Sequence, residues 1–154
     1  MDFDDIVRRS SSSVVEVART EEPVRTQLVG SFGRLRAEDA TSLSMVMAEL
    51  VSNAVEHGLA STGGELVIEA RRDADPNDPS DDAGELLTVT VSDDGVGLPE
   101  GFTPQGDSLG TQIVSSLVQD LRGHIRWERR EPRGTTVTFT AKLRPEGKPT
   151  DDLV

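Results

Sequence analysis

Residues 43–58 of the chain read Leu43-Ser44-Met45-Val46-Met47-Ala48-Glu49-Leu50-Val51-Ser52-Asn53-Ala54-Val55-Glu56-His57-Gly58. Apolar residues recur here at spacings of three and four, which predicts a helix from about residue 37 with one buried face. Gly58 stands where a C-terminal cap is expected. Glu49, Asn53 and His57 are four residues apart, so a regular helix would place their side chains along one stripe beside the apolar face.

The polar stripe of this helix has two interpretations. The amide oxygen of Asn53 is a hard ligand that suits magnesium, and the carboxylate of Glu49, one turn away, can orient water or accept a proton. The alternative is a solvated helix face, which is favoured for Glu56 because such charges are usually exposed. Asparagine is a poor residue in the middle of a helix, so the sequence predicts a functional role for Asn53.

The rest of the chain alternates between helical and strand patterns. A first helix is expected to follow an Asp2 cap, and residues 24–32 suggest a short strand pair or a strand and a turn. Strands are predicted around residues 66–70, 87–91, 125–127 and 137–143. A further helix is predicted with Ser108 as its N-cap, and its expected inner face consists of Ile113, Val114, Leu117, Val118 and Leu121.

These patterns favour a sheet with one face covered by helices and the other largely solvated. The predicted fold class is α+β: a two-layer α/β sandwich with a mixed, mainly antiparallel sheet and helices on one face. We expect one domain over residues 1–144 and a polar, frayed tail over residues 145–154. The acidic stretch at residues 73–84 is predicted to be a loop between two strands without a chemical role.

The composition excludes several classes of partner. The 154 residues include 28 acidic and 16 basic side chains, and the formal net charge of −12 repels nucleic acid and anionic membrane surfaces. No cysteine is present to form a disulfide or a thiolate metal site. No apolar run approaches the roughly 20 residues that cross a bilayer, and the start lacks the basic residues of a signal peptide. We therefore expect a soluble, cytoplasmic protein.

A glycine-bearing segment follows the strand at residues 87–91. Because Asp-Gly is a favoured turn dipeptide, a plain tight turn at Asp94-Gly95 is one interpretation. The functional interpretation depends on two glycines, because Gly95 and Gly97 together let the backbone approach a flat ligand closely. The carboxylate of Asp93 can then accept a hydrogen bond from an exocyclic amine, such as that of adenine. A calcium loop fits less well, because the ligand series of an EF-hand is missing.

A third segment leads into the second long helix and contains Gly106, Ser108, Leu109 and Gly110. The unpaired N–H groups and the positive dipole end of a helix can bind phosphate oxygens, and glycines let those oxygens come near. A plain loop with a serine N-cap is the alternative. The spacing is not that of a P-loop, which needs a lysine and a hydroxyl residue after its last glycine. Taken together and in this order, the three segments predict a nucleotide site.

The three segments resemble the motifs of the GHKL superfamily, whose members share the Bergerat ATP-binding fold. Residues 49–57 resemble its N box, residues 93–97 its G1 box and residues 106–110 its G2 box, while Gly134-Thr135 resembles its last glycine–threonine motif. The resemblance covers nearly the whole chain. It is strongest to actinobacterial, cytosolic sensor kinases with the HisKA_2 style of phosphoacceptor domain, which is also the class that best suits Gly30-Ser31-Phe32-Gly33.

The resemblance implies a role for each motif. Asn53 would coordinate a magnesium ion that bridges the phosphates of ATP, and Asp93 would read the adenine amino group with support from Thr135. Glu49 matches a general base of the hydrolysing members, and His57 would lie near phosphate. Gly95 and Gly97 would make room for the nucleotide. The G2 residues would close a lid over its phosphates: Gly106, Ser108, Leu109 and Gly110. Many relatives have a third glycine where this chain has Ser108.

The resemblance also implies partners. The chain has only His57 and His124, and neither lies in the His-Arg or His-Lys acceptor motif of this class. We therefore expect a fragment of a sensor histidine kinase that phosphorylates a histidine on a separate acceptor domain and is monomeric in isolation. The resemblance implies a cognate response regulator of the ANTAR type as a further partner. The alternatives are an anti-sigma-factor-like serine kinase that holds a partner, and a degenerate scaffold, against which the intact Asn53 and Asp93 argue.

Overall fold

The computed structural model of the chain describes residues 3–17, 23–59, 62–74, 85–98 and 109–143. Its helices are α1 (Phe3–Val17), α2 (Ala37–Asn53) and α3 (Leu109–Asp120), and a π-helical turn (Ala54–Gly58) continues α2. Its strands are β1 (Val24–Gly30), β2 (Gly64–Ala74), β3 (Glu85–Asp93), β4 (Ile125–Arg129) and β5 (Thr135–Leu143). The tail at residues 145–154 and most of the expected loop at residues 73–84 lie outside the described residues.

The five strands form one sheet in the order β1-β2-β3-β5-β4. β1 pairs with β2 in parallel, and the other neighbouring strands are antiparallel. Burial alternates residue by residue along β3 and β5, so one face of the sheet is covered and the other faces solvent. The expected two-layer α/β sandwich with a mixed, mainly antiparallel sheet is confirmed.

The core lies between α2 and the covered face of the sheet. Leu43, Val46 and Leu50 of α2 are buried there because they share one face of the helix. The sheet contributes buried residues at alternate positions: Leu66, Ile68, Leu87, Val89, Val91, Val137, Phe139 and Ala141. The solvated face carries half-buried threonines, whose branched side chains suit an exposed sheet surface: Thr88, Thr90, Thr138 and Thr140.

Helix α1 is fastened at its N-terminal end to the loop that follows β1. The ring of Phe3 packs edge-on against the ring of Phe32, with centroids 4.9 Å apart. Buried Asp4 accepts hydrogen bonds from the hydroxyl of Ser31 (2.7 Å) and from the backbone N–H of Phe32 (2.8 Å). The expected first helix is therefore confirmed, although its expected cap, Asp2, lies outside the described residues. No helix in the described ranges is long and apolar enough to cross a membrane.

Two local expectations were wrong. Gly58 is not a left-handed C-cap: it is the last residue of the π-helical turn, which is closed by a hydrogen bond from the N–H of Leu59 to the carbonyl of Ala54 (2.9 Å). Ile113 does not face the core but is 44% exposed, because it lies beside the buried stripe formed by Thr111, Val114 and Val118.

Candidate functional site

A cavity of about 280 Å³ opens between the end of α2 and the covered face of the sheet. Five of the candidate residues from the sequence line it: Asn53, His57, Asp93, Gly97 and Thr135. The rest of the described lining is mainly apolar or small: Leu50, Ala54, Gly58, Val91, Leu98, Thr111, Trp127 and Val137. An apolar pocket with a few convergent polar groups is the usual form of a small-molecule site.

Asp93 is the buried acid of this cavity. It is the last residue of β3 and is only 3% exposed, although it lines the cavity wall. The backbone N–H of Gly95 donates a hydrogen bond to its Oδ1 (2.9 Å). Burial raises the pKa of Asp93 above its ordinary value, and backbone hydrogen bonds from Gly95 and Thr135 only partly offset this. Because burying a carboxyl group is costly unless it is hydrogen-bonded, a ligand that donates a hydrogen bond to Asp93 would be favoured in this cavity.

Three glycines allow the backbone to close around Asp93. A Cβ on Gly58 would lie 2.8 Å from Asp93 Oδ1, and a Cβ on Gly134 would overlap the carbonyl oxygen of Asp93. A Cβ on Gly95 would overlap the carbonyl oxygen of Gly58, to which the N–H of Val96 donates a hydrogen bond (2.9 Å). The π-helical turn, the loop after β3 and the start of β5 therefore meet at one carboxylate.

The structure separates the roles of the glycines after β3. Gly97 lines the cavity with a φ of +85°, in the left-handed region that favours glycine. Gly95 is not among the residues that line the cavity, because it packs against the backbone of Gly58. The neighbouring acid, Asp94, points elsewhere: its Oδ1 accepts a hydrogen bond from the N–H of Glu65 (2.9 Å) and so fastens the start of β2.

The expected polar stripe on α2 is only partly regular. Glu49 and Asn53 lie one turn apart on α2 and are both half-buried, whereas His57 lies in the π-helical turn and is exposed. His57 and Asn53 still line the same cavity. Glu49 lies next to Gly110 of α3, where an added Cβ would overlap Glu49 Oε1. The stripe therefore connects the cavity to the first turn of α3.

The predicted phosphate-binding segment is described only in part. Gly106 and Ser108 lie outside the described residues. Leu109, the first residue of α3, is 72% exposed, and Gly110 follows it against Glu49. Thr111, one residue further, is buried and lines the cavity. The start of α3 is thus at the cavity, as the motif requires.

Among the lining residues that were not predicted as site residues, Thr111 is the one with a hydroxyl group and Trp127 the one with an aromatic ring. Thr111 follows directly after the glycine segment, so its position was a usable signal. Trp127 was placed in a closing strand, but only the strand register reveals its neighbours: it pairs with Val137 across β4 and β5. Because Trp127 and Val137 line the same cavity, the register brings an aromatic ring to the site.

A buried acid thus lies at the end of the central strand β3, lines the cavity and is enclosed by close-packed backbone. The chain belongs to the family of histidine kinase-, DNA gyrase B-, and HSP90-like ATPases, whose family model matches residues 38–145. This confirms the resemblance that the motifs indicated, and with it an ATP-binding fold.

Curated relatives place the chain more closely. It is 36% identical over 152 residues to the sensor histidine kinase PdtaS of Mycobacterium tuberculosis, and 40% identical over 147 residues to that of Mycolicibacterium smegmatis. These matches cover 96% and 93% of this chain, respectively. The chain spans only 28% of the length of each relative. It is homologous to the ATP-binding catalytic domain of sensor histidine kinases.

Two further similarities bear on the fold and on the alternative function. The histidine kinase domain of the blue-light-activated kinase EL346 from Erythrobacter litoralis superposes with a TM-score of 0.74 at 24% identity, covering 93% of this chain and 62% of that chain. The anti-sigma F factor of Lysinibacillus sphaericus is 26% identical over 141 residues, covering 82% of this chain and 87% of that protein. The matches to the PdtaS kinases, at 36% and 40% identity, exceed both in sequence identity.

Proposed function

We propose that the chain binds Mg-ATP and transfers the γ-phosphate to a histidine on an acceptor domain outside the chain, as the catalytic domain of a two-component sensor histidine kinase. The observation that carries the proposal is the arrangement at Asp93, a buried acid that lines a cavity together with Asn53 and Thr135. The homology to PdtaS supports the same activity.

In this proposal, recognition of the base depends on Asp93. Its carboxylate accepts a hydrogen bond from the exocyclic amine of adenine, and Thr135, its register partner on β5, lines the same end of the cavity. Guanine presents a carbonyl oxygen at that position, so an ionised Asp93 would face an acceptor and repel it. The close-packed glycines fix the carboxylate in place before the nucleotide arrives.

The phosphates in this proposal lie toward the start of α3. The amide oxygen of Asn53 is a suitable ligand for a magnesium ion. Once bound, that ion would neutralise part of the phosphate charge. The backbone N–H groups of Leu109 and Gly110 lie in the first turn of α3, where they could bind phosphate oxygens. The motif that these two residues complete also contains Gly106 and Ser108, which we propose as further phosphate-binding residues. His57 lines the cavity near Asn53 and contributes a further donor. Such a net-acidic chain needs these donors to hold a triphosphate.

Catalysis then depends on positioning. The domain holds the γ-phosphoryl group in line with the imidazole nitrogen of the acceptor histidine, and it makes no covalent bond to the phosphate itself. In this proposal Glu49, which is half-buried beside Gly110, orients that imidazole or accepts its proton. We further propose that the acceptor domain passes the phosphate to a response regulator of the ANTAR type. The proposed location of this reaction is the cytoplasm.

Nucleotide binding is tested by titrating the purified chain with a fluorescent ATP analogue, with and without magnesium. We expect saturable binding that magnesium strengthens and that Asp93→Asn removes. The matched control is Asp73→Asn, an exposed acid near the end of β2. A folded wild-type chain that binds no nucleotide would overturn the proposal and favour a scaffold without catalysis.

Transfer is tested with purified acceptor helices of the PdtaS kinases and radiolabelled ATP. Phosphate that is labile in acid and stable in base is expected on the acceptor, because phosphohistidine has that stability. Acid-stable phosphoserine on an antagonist protein would instead support the anti-sigma-factor-like function, for which the similarity to anti-sigma F factor is the specific observation.

A further inference from the structure

Trp127 is an aromatic side chain in the wall of the nucleotide cavity. It lies on the edge strand β4, on the covered face of the sheet, and it is half-buried. It is also the single tryptophan of the chain. Tryptophan rings are large and rigid, and this one forms part of the cavity wall.

The sheet register places Trp127 close to Asp93. Asp93 pairs with Thr135 across β3 and β5, and the next pair on the same face consists of Val91 and Val137. Val137 in turn pairs with Trp127 across β5 and β4. Strands lie about 4.8 Å apart and residues on one face recur about every 6.8 Å, so the Cα atoms of Asp93 and Trp127 are about 12 Å apart. A planar base fits in that gap, with one edge at the carboxylate and the indole beyond it.

The other walls near Asp93 cannot supply such a surface. Ala54 and Gly58 of the π-helical turn are small, and Val91 and Val137 on the floor are aliphatic. Trp127 therefore carries the largest aromatic ring along the described part of the cavity wall. Base-to-indole contact is sequence-tolerant by itself, because every base has an aromatic face. Selectivity for adenine would need Asp93, whereas affinity for any base would need the indole.

We propose that Trp127 is an affinity-determining residue of the nucleotide site, whose indole ring contacts the base while Asp93 reads its amino group. The inference rests on the proposed nucleotide function and deepens it. Trp127 contributes to binding of the base and does not contact the phosphates.

The intrinsic fluorescence of the wild-type chain is the first test, because Trp127 is the sole source of tryptophan emission. Titration with Mg-ADP is expected to change the emission with the same dissociation constant that calorimetry gives. Titration with magnesium tripolyphosphate, which has no base, is expected to leave the emission unchanged. Nucleotide binding by calorimetry without any change of emission would overturn the inference and leave the proposed function intact.

Substitutions form the second test. Trp127→Ala is expected to weaken Mg-ADP binding about tenfold and Trp127→Phe about threefold, with tripolyphosphate binding unchanged in both. Ile125→Ala is the matched control, since Ile125 is two residues away on the same face of β4 but does not line the cavity. It should lower the melting temperature without changing Mg-ADP affinity.

The outcomes separate the two proposals. If no nucleotide binds to the folded wild-type chain by calorimetry, the proposed function fails and the inference fails with it. If Mg-ADP binds and Trp127→Ala binds it as tightly as the wild type, only the inference fails. If Trp127→Ala weakens tripolyphosphate as much as Mg-ADP, its effect is a general distortion, which also overturns the inference. Should Trp127→Ala not fold, Trp127→Phe and the wild-type emission decide.

Discussion

The carboxylate of Asp93 lies directly against Gly58, so closely that a Cβ on Gly58 would be 2.8 Å from Oδ1 and 3.0 Å from Oδ2. Gly58 ends the π-helical turn that continues α2, whereas Asp93 ends β3, 35 residues later in the sequence. The π-helical turn brings the backbone of its last residue, Gly58, against the Asp93 carboxylate. This contact explains why the N-box helix does not end in an ordinary cap.

Gly58→Ala is expected to weaken nucleotide binding, because the new methyl group must push the Asp93 carboxylate away from its position. The affinity for Mg-ADP should fall by about tenfold or more, which is about 1.4 kcal/mol. Overpacking of this kind also costs about 1–3 kcal/mol of stability, measurable by urea denaturation. Glu56→Ala is the control, because Glu56 is exposed in the same turn. Unchanged affinity in Gly58→Ala would contradict the proposed role of the contact.

Asp93→Asn is expected to lose nucleotide binding without losing stability at neutral pH. Burial raises the pKa of Asp93 in the folded chain above 3.8, so the folded state binds more protons than the unfolded state between those two pKa values. Stability contributed by the protonated acid is therefore present below pH 3.8 and is lost as the pH rises through the folded pKa. Asparagine does not titrate, and its oxygen can still accept the N–H of Gly95.

The measurement for this variant is the free energy of unfolding against pH for both proteins. The stability of Asp93→Asn relative to wild type should increase as the pH rises above about 4 and then become constant. A relative stability of Asp93→Asn that declines with rising pH would mean that the folded environment favours the ionised carboxylate.

The layers of the fold follow from residue spacing alone. Apolar residues stand at every second position along residues 66–70 and 87–91, as expected for strands with one buried face. The strands and their covered side could therefore be predicted. The π-helical turn could not, because it depends on the contact of Gly58 with Asp93, which are distant in sequence. The prediction that Ile113 faces the core was wrong for a related reason. The buried face of α3 includes Thr111, a polar residue that a search for apolar spacing does not count.

The site was only partly accessible to the same reasoning. Asn53 was identified because an amide in mid-helix is unfavourable without a function, and Asp93 because two glycines, Gly95 and Gly97, follow it closely. Trp127 was missed because its position at the cavity depends on the register between β4 and β5, which local sequence does not specify. Gly95 was assigned to the ligand, but its missing side chain instead accommodates the backbone of Gly58.

Gly110→Ala is expected to reveal a coupling between the N-box helix and α3. Alanine favours the helix over glycine by up to about 1 kcal/mol, and by less in a first turn such as that of Gly110, but here its Cβ would overlap Glu49 Oε1 and must displace that side chain. In a Glu49→Ala background the displacement is not needed. Gly110→Ala should therefore be more stabilising in that background than in the wild type, by about 0.5–2 kcal/mol in a double-mutant cycle.

The same variant also tests the placement of Glu49. Phosphotransfer to the acceptor domain should slow in Gly110→Ala, while Mg-ADP affinity changes less than the transfer rate, because Glu49 does not line the nucleotide cavity. Thr41→Ala, at an exposed position of α2, is the control. Additive stabilities in the cycle, within about 0.3 kcal/mol, would show that Glu49 and Gly110 do not interact.

Asp4→Ala is expected to destabilise the domain without changing nucleotide affinity. Asp4 is 6% exposed and accepts hydrogen bonds from the Ser31 hydroxyl at 2.7 Å and the Phe32 N–H at 2.8 Å, so truncation removes the acceptor of the buried Phe32 N–H. The cost should be about 1–3 kcal/mol in urea denaturation. Asp5→Ala is the matched control, because Asp5 is exposed and its ion pair with Arg8 at 3.3 Å is worth under about 1 kcal/mol. Equal stability losses in the two variants would show that α1 is not held by the Asp4 hydrogen bonds.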